Sequence, residues 1–367
     1  MPSSLSGRPF LSRHTGGVLQ TIRVMIAAGW CAAAALAPAA AADVSGAGAT
    51  FPSPIYAKWA QAYRQETGVA LEYRPVGSAA GIRQIQDKAV TFGASDMPLK
   101  GADLDRFGLI QFPTLLGGVV PVINVGSVKS GDLTLDGPAL ARIFLGEIRT
   151  WNHRTIRTLN PSAPLAAQPI AVVRRSDGSG TTFLFTDYLS KVSADWRSKV
   201  GASTAVEWPV GVGANGNAGV ADTVGRSKGS IGYVEYAHAR RHKLSFALMV
   251  NKDGKTVAPL AEAFATAAGG ANWEATPGFG VVLTNAAGAG SWPITGASFI
   301  LMPKQPPDPA AAAAALKFFA WAYAKGGTMA EELDYVPMPA AVVGAVQKLW
   351  AAEIKDASGK PIYEPPR

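Results

Sequence analysis

Apolar positions early in the chain recur at helical spacing. Ile55, Tyr56, Trp59, Ala60 and Tyr63 share one face, which predicts an amphipathic helix that Gly68 ends. Val69 to Tyr73 then reads as a strand, Gly77-Ser78 opens a second helix through Ile82 and Ile85, and Phe92 to Ser95 reads as a short strand finishing at Asp96. This β-α-β alternation predicts an α/β sheet with ligand-bearing loops at the carboxyl ends of its strands. Gln111 to Asn124 and Ile294 to Met302 are long apolar segments, and the interval between them holds strands and helices of its own. The chain therefore leaves a first lobe, builds a second and returns. That order predicts a two-lobed α/β fold with two crossovers. Residues 43–118 and 298–367 form lobe 1, and 119–297 form lobe 2. Asp308-Pro309 caps a helix from Ala310 to Lys325 that Gly326-Gly327 closes, and no internal repeat is present.

The first 42 residues read differently. Arg8, Arg13, His14 and Arg23 give a basic start, Val24 to Leu36 is apolar, and Ala40-Ala41-Ala42 offers a small-residue cleavage site. This is the layout of a secretory signal peptide, with an apolar run too short to span a bilayer. The one cysteine, Cys31, lies inside it, and Trp30 before it is a poor fit for lipidation. Cleavage would leave 325 of the 367 residues without cysteine, enough to bury a core without disulfides. The net charge of +8 falls to +5 when Arg8, Arg13 and Arg23 go. The remaining basic residues are scattered rather than set in a stripe with aromatics, which argues against a nucleic-acid partner.

The chemistry concentrates in Arg174-Arg175-Ser176-Asp177-Gly178-Ser179-Gly180-Thr181-Thr182. An apolar run, Pro169 to Val173, precedes it and an aromatic-rich segment, Phe183 to Leu189, follows, so the order is strand, tight loop, helix. Gly178 and Gly180 let bare N–H groups approach a ligand closely. Ser179 and Thr181 add hydroxyls at a helix start, where free donors and the helix dipole attract anions. Arg175 supplies a planar fork suited to an oxyanion, and Asp177 is placed to hold it. Thr50-Phe51, Ser78 and Asp96 could join the same site. Each alone reads as a helix cap, and Arg175 with Asp177 could be a local ion pair and nothing more.

Several blocks together resemble the periplasmic phosphate-binding protein of bacterial phosphate ABC transporters. They are Gly46-Ala47-Gly48-Ala49-Thr50-Phe51-Pro52, Phe92-Gly93-Ala94-Ser95-Asp96, Gln111-Phe112-Pro113, Gly117-Gly118-Val119-Val120 and Ala171 to Thr181. Ile231-Gly232-Tyr233-Val234-Glu235-Tyr236, Trp292-Pro293-Ile294-Thr295 and Leu316-Lys317-Phe318-Phe319 extend the likeness, which runs from about Gly46 to Tyr363. The resemblance implies inorganic phosphate held in the cleft by Thr50, the Phe51 N–H, Ser78, Asp96, Arg175, Ser179, the Gly180 N–H and Thr181, with Asp177 orienting Arg175. It also implies a monomeric, periplasmic, non-enzymatic protein without cofactor or metal. Its partners would be the permease of an ABC transporter and, through it, a cytoplasmic ATPase. Ala79-Ala80 departs from the serine and glycine the family often carries, which puts extra contacts there in doubt. Asp96, an anion in an anion site, makes sense if it accepts a hydrogen bond from the P–OH of phosphate. Sulfate has no proton to give, and its bare oxygen against a carboxylate costs on the order of several kcal/mol.

Three other patterns compete. Gly211-Val212-Gly213-Ala214-Asn215-Gly216 matches a dinucleotide fingerprint, but Pro209 and Gly225 interrupt its surroundings, so a loop is expected. His238 and His242 stand four apart among Arg240, Arg241 and Lys243, which reads as a solvated helix face rather than a metal pair. No H-E-x-x-H motif occurs, and beyond the leader the histidines are His153, His238 and His242. The rival readings are a binder of another tetrahedral oxyanion, a phosphate-ester enzyme and an adhesion protein.

Overall fold

The computed structural model describes residues 44–364. The expected signal peptide and Cys31 lie outside the described residues. From the amino end, β1 (Val44–Gly48), α1 (Ser53–Thr67), β2 (Leu71–Arg74), α2 (Ser78–Gln86), β3 (Phe92–Ser95) and α3 (Gly101–Phe107) follow in order. The long β4 (Leu109–Asn124) leads to β5 (Thr134–Leu135), α4 (Gly137–Phe144), α5 (Arg154–Leu159), β6 (Ala171–Arg175), α6 (Gly180–Val192) and α7 (Ala194–Lys199). Next come β7 (Val212–Ala214), α8 (Gly216–Arg226), β8 (Ser230–Glu235), α9 (Tyr236–Arg241), β9 (Ser245–Phe246), β10 (Leu248–Val250), β11 (Thr256–Val257) and α10 (Ala261–Ala268). The chain closes with β12 (Thr295–Pro303), α11 (Pro309–Lys325), α12 (Gly327–Glu331), β13 (Val336–Pro337) and α13 (Ala340–Glu353).

Local chemistry sets these boundaries. A proline sits in the first turn of α1, where its missing N–H has no partner to lose. Gly68 ends the helix in the left-handed conformation that favours glycine. The Asp308 carboxylate accepts from the Ala310 and Ala311 N–H groups, both at 2.9 Å, and starts α11 as its sequence indicates. Among the described residues no helix is long and apolar enough to cross a membrane.

The main sheet runs β2-β1-β3-β12-β4-β8-β6-β7. β1, β2 and β3 are mutually parallel at one end, and β6, β7 and β8 at the other. The antiparallel pair β4 and β12 joins the two groups. β4 is buried along all but its last residue, which explains its unbroken apolar run. It changes partner partway: Leu109 to Gly118 pair with β12, and Val119 to Asn124 pair with β8. At the change, the Trp292 indole N–H donates to the Val119 carbonyl at 2.9 Å and pins the returning segment there. The result is the two-lobed α/β architecture.

Aromatic clusters fill both halves. Tyr56, Phe92, Phe112, Phe319 and Trp350 pack edge to face under α1 and α11. In the other half Phe185 stacks on Tyr233 with centroids 4.2 Å apart. One polar residue in β4, Gln111, is fully buried because both ends of its amide are used. It accepts from the Leu99 N–H at 2.8 Å and donates to the Gly278 carbonyl at 2.9 Å. It thereby anchors the turn after Asp96. Gln111→Leu keeps the bulk but strands both backbone groups, at about 1–3 kcal/mol for each buried group left unpaired. The urea midpoint should fall accordingly, and an unchanged midpoint would show that water replaces the amide freely.

Candidate functional site

Every candidate residue lies at or just beyond the carboxyl end of a parallel strand. Thr50 and Phe51 follow β1, Ser78 follows β2, Asp96 follows β3, and Arg175 is the last residue of β6. Ser179, Gly180 and Thr181 begin α6. The two parallel groups face each other there, and Thr50, Phe51, Ser78, Asp96, Arg175, Ser179 and Thr181 are all buried.

Arg175 is the fixed cation. Its Nε donates to Asp177 Oδ1 at 2.7 Å, and its Nη2 pairs with Asp177 Oδ2. Asp177 is itself held by the Gly216 N–H at 3.0 Å. Burial alone would raise the Asp177 carboxyl, but the hydrogen bond and charge of Arg175, with the Gly216 N–H, carry it below its ordinary range. Gly77 packs against this pair. Its φ is +93°, and a Cβ there would lie 2.6 Å from Asp177 Oδ2. The Arg175 backbone N–H donates to the Tyr233 hydroxyl at 3.2 Å, which ties the fork to the stacked aromatic core. Arg175 Nη1 remains buried with no protein partner.

The hydroxyls share one arrangement, in which N–H groups occupy their oxygens. Thr50 Oγ1 accepts from Asn217 Nδ2 at 2.8 Å, and Thr181 Oγ1 from the same nitrogen at 3.1 Å. Ser78 Oγ accepts from the Gly180 N–H at 3.0 Å, and Ser179 Oγ caps α6 by accepting from the Thr182 N–H at 3.0 Å. With its oxygen loaded in this way, each hydroxyl has a proton to give. Among the described residues neither the Phe51 nor the Thr181 N–H meets a protein acceptor. The Gly180 N–H, read from sequence as an anion donor, instead holds Ser78. Glycine is needed at 180 because a Cβ would sit 2.6 Å from Asp96 Oδ2. The Ala79 N–H donates to the Gly178 carbonyl at 3.0 Å, so the departure from the family pattern there does not leave it idle.

Asp96 supplies the acceptor. Ser298 donates to its Oδ1 at 2.9 Å, and Oδ2 is buried and unpartnered. A buried donor, Arg175 Nη1, and a buried acceptor, Asp96 Oδ2, thus lack partners within a cradle of hydroxyl and N–H donors. A tetrahedral oxyanion that keeps one proton satisfies both.

Two expectations need correction. The Gly211 to Gly216 segment is not a loop. It forms β7 and opens α8, because pairing with β6 supplies the order that its glycines withhold. The N–H at the start of α8 goes to Asp177. His238 is not solvated either. It is 5% exposed, and its Nε2 lies 2.9 Å from the Thr50 carbonyl. His242 faces Asp222 at 3.1 Å instead, and His153 caps α5. Sequence reasoning missed Asn217, Ser298, Glu235 and Tyr335. The Tyr335 hydroxyl lies 2.7 Å from the Phe51 carbonyl and 2.8 Å from Glu235 Oε2, bracing the backbone behind the cradle.

The chain is similar to known proteins along most of its length. A family model described as a PBP superfamily domain matches residues 33–325. A Phosphate-binding protein PstS of Pasteurella multocida (strain Pm70) is 48% identical over 324 residues, covering 88% of this chain and 94% of its own. Its Haemophilus influenzae namesake is 49% identical over 317 residues, covering 86% and 95%. A solved periplasmic phosphate-binding protein, PfluDING bound with phosphate, superposes with a TM-score of 0.69 at 22% identity, covering 88% of this chain and 99% of that one. That last likeness is one of fold.

Burial perturbs three groups around the cradle. Asp96 is pushed up to about 7 by burial, against the pull of Ser298 and Arg175. Burial pushes Glu235 up to about 8, and His238 down to about 4. Above about pH 7.5 His238 is neutral whether folded or not, and below that its unfolded form still binds protons and offsets only part of the slope; Asp177 is ionised in both states throughout. Asp96 and Glu235 then hold more protons folded than unfolded, so stability must fall as pH rises from 6.5 through 8. In buffer free of phosphate and sulfate, the loss should be on the order of 1–2 kcal/mol across that interval. Glu235→Gln should flatten the upper part of the curve. If it keeps the full wild-type slope in thermal melts, Glu235 does not titrate there.

Proposed function

The chain belongs to the phosphate-binding proteins of the PBP superfamily, and from that premise we propose that it captures inorganic phosphate between its lobes for an ABC transporter. The observation that carries the reading is the complementary pair of unpartnered buried atoms, Arg175 Nη1 and Asp96 Oδ2. A monohydrogen phosphate ion offers the first a bare oxygen and the second a P–OH. The ligand set we assign is Thr50 and Phe51, Ser78, Asp96, Arg175, Ser179 and Thr181. Gly180 belongs to it by making room. Asp177 aims the fork. We assign residues 43–118 and 298–367 to lobe 1 and 119–297 to lobe 2, and closure of the lobes strips the anion of water.

Export by residues 1–42 would place a monomer in the periplasm, where a permease coupled to a cytoplasmic ATPase receives the cargo. The reading is of a carrier without chemistry of its own. Hydrolysis of a chromogenic phosphate ester by the purified protein would contradict it.

Asp96 decides between phosphate and sulfate. Ionised, it accepts from phosphate and repels sulfate. Protonated, it becomes a donor and sulfate fits. Because its carboxyl titrates near 7, sulfate affinity should rise about fivefold as pH falls from 8 to 7, reach about tenfold near pH 6 and level off below.

Titration calorimetry provides the test. One phosphate should bind per chain, and a hundredfold excess over Kd should add about 2.7 kcal/mol of stability. Melting that is indifferent to phosphate would end the proposal. Asp96→Asn should lower the phosphate-to-sulfate affinity ratio by at least about tenfold, roughly 1.4 kcal/mol, and abolish the pH dependence of sulfate binding. A variant that keeps the wild-type ratio and pH profile would move selectivity away from Asp96.

A further inference from the structure

Asn217 is fully buried, and each polar atom of its side chain is engaged. Its Oδ1 accepts from the Glu235 backbone N–H at 2.9 Å. That N–H can only donate, so the amide cannot turn over, and its nitrogen must face Thr50 and Thr181. One proton of Nδ2 goes to Thr50 Oγ1 at 2.8 Å and the other to Thr181 Oγ1 at 3.1 Å. The Asn217 backbone N–H adds a second donor to Thr50 Oγ1 at 3.3 Å. Both lone pairs of the Thr50 oxygen are then filled. Its proton has to go elsewhere, and the cradle is where an acceptor would be.

We propose that Asn217 is a positioning residue for anion capture: across the cleft it leaves the Thr50 hydroxyl only its proton to offer, and on its own side it takes up one lone pair of Thr181. This rests on the phosphate reading and on the lobe assignment above, in which Thr50 belongs to one lobe and Asn217 with Thr181 to the other. Without the amide, a threonine hydroxyl is free to rotate and offer a lone pair to the anion. With it, the hydroxyl has one productive orientation. The bond to Thr50 can form only when the lobes meet, so that hydroxyl is oriented in the same step that encloses the ligand.

The test is a double-mutant cycle read by phosphate titration calorimetry on wild type, Asn217→Ala, Thr50→Val and the double variant. Asn217→Ala should weaken phosphate binding by about 10–100-fold. In the Thr50→Val background, which has no Thr50 hydroxyl to orient, the further loss should be at least about fivefold smaller. An equal loss in both backgrounds would overturn the proposal and leave Asn217 as a prop for the fold. Should Asn217→Ala not fold, Asn217→Ser runs the same cycle with the same criterion. A wild-type protein that fails to bind phosphate would defeat the function proposed above. A wild type that binds with an uncoupled cycle defeats only the role of Asn217.

Discussion

A guanidinium as buried as that of Arg175 must be neutralised where it stands, and the Asp177 carboxylate does this from one edge only. It occupies Nε and Nη2 and leaves Nη1 facing forward. A buried charge without a partner is among the most destabilising features a protein can carry, so the local backbone is organised around this pair. Gly77 keeps the space beside the carboxylate clear, the start of α8 donates to it, and Tyr233 holds the Arg175 backbone. Three separate segments are thus fixed relative to one ion pair, and the cradle is the space they leave.

The cradle works by assigning protons rather than by charge alone. Its hydroxyl oxygens are taken up by N–H groups, so what they offer a ligand is hydrogen. Asp96 breaks the pattern with a single oxygen, its other one being occupied by Ser298. In the function we propose, an anion is therefore read by how many protons it carries as well as by its shape. This is a demanding distinction, since phosphate and sulfate are nearly the same size.

Much of this was legible in the sequence where the chemistry is local. The strand, loop and helix around Arg175, the Asp177 partnership and the two crossover strands follow from composition and spacing within short windows. Asp96, Ser78 and Thr50 entered through resemblance, since each alone reads as a cap. What stayed hidden were contacts that local pattern does not encode. Asn217 meets Thr50 across 167 positions, and Ser298 meets Asp96 across 202. β7 is three residues long and exists because β6 lies beside it, so tertiary pairing overrode the glycines that argued for a loop. His238 was misjudged from its basic neighbours. α9 spans less than two turns and turns His238 inward, while Arg240 and Arg241 face solvent.

The distance in sequence between Asp96 and Ser298 has a consequence for how the molecule matures. The acceptor oxygen is set only when the returning strand β12 has docked beside β3, and β12 is made after both halves have been threaded. A chain that has folded only its amino-terminal third owns Thr50, Ser78 and Asp96 yet has no oriented carboxylate and no guanidinium. On the function we propose, cargo retention therefore calls for the completed fold, because the amino-terminal third alone lacks both the guanidinium and the Ser298 hydroxyl that fixes the carboxylate.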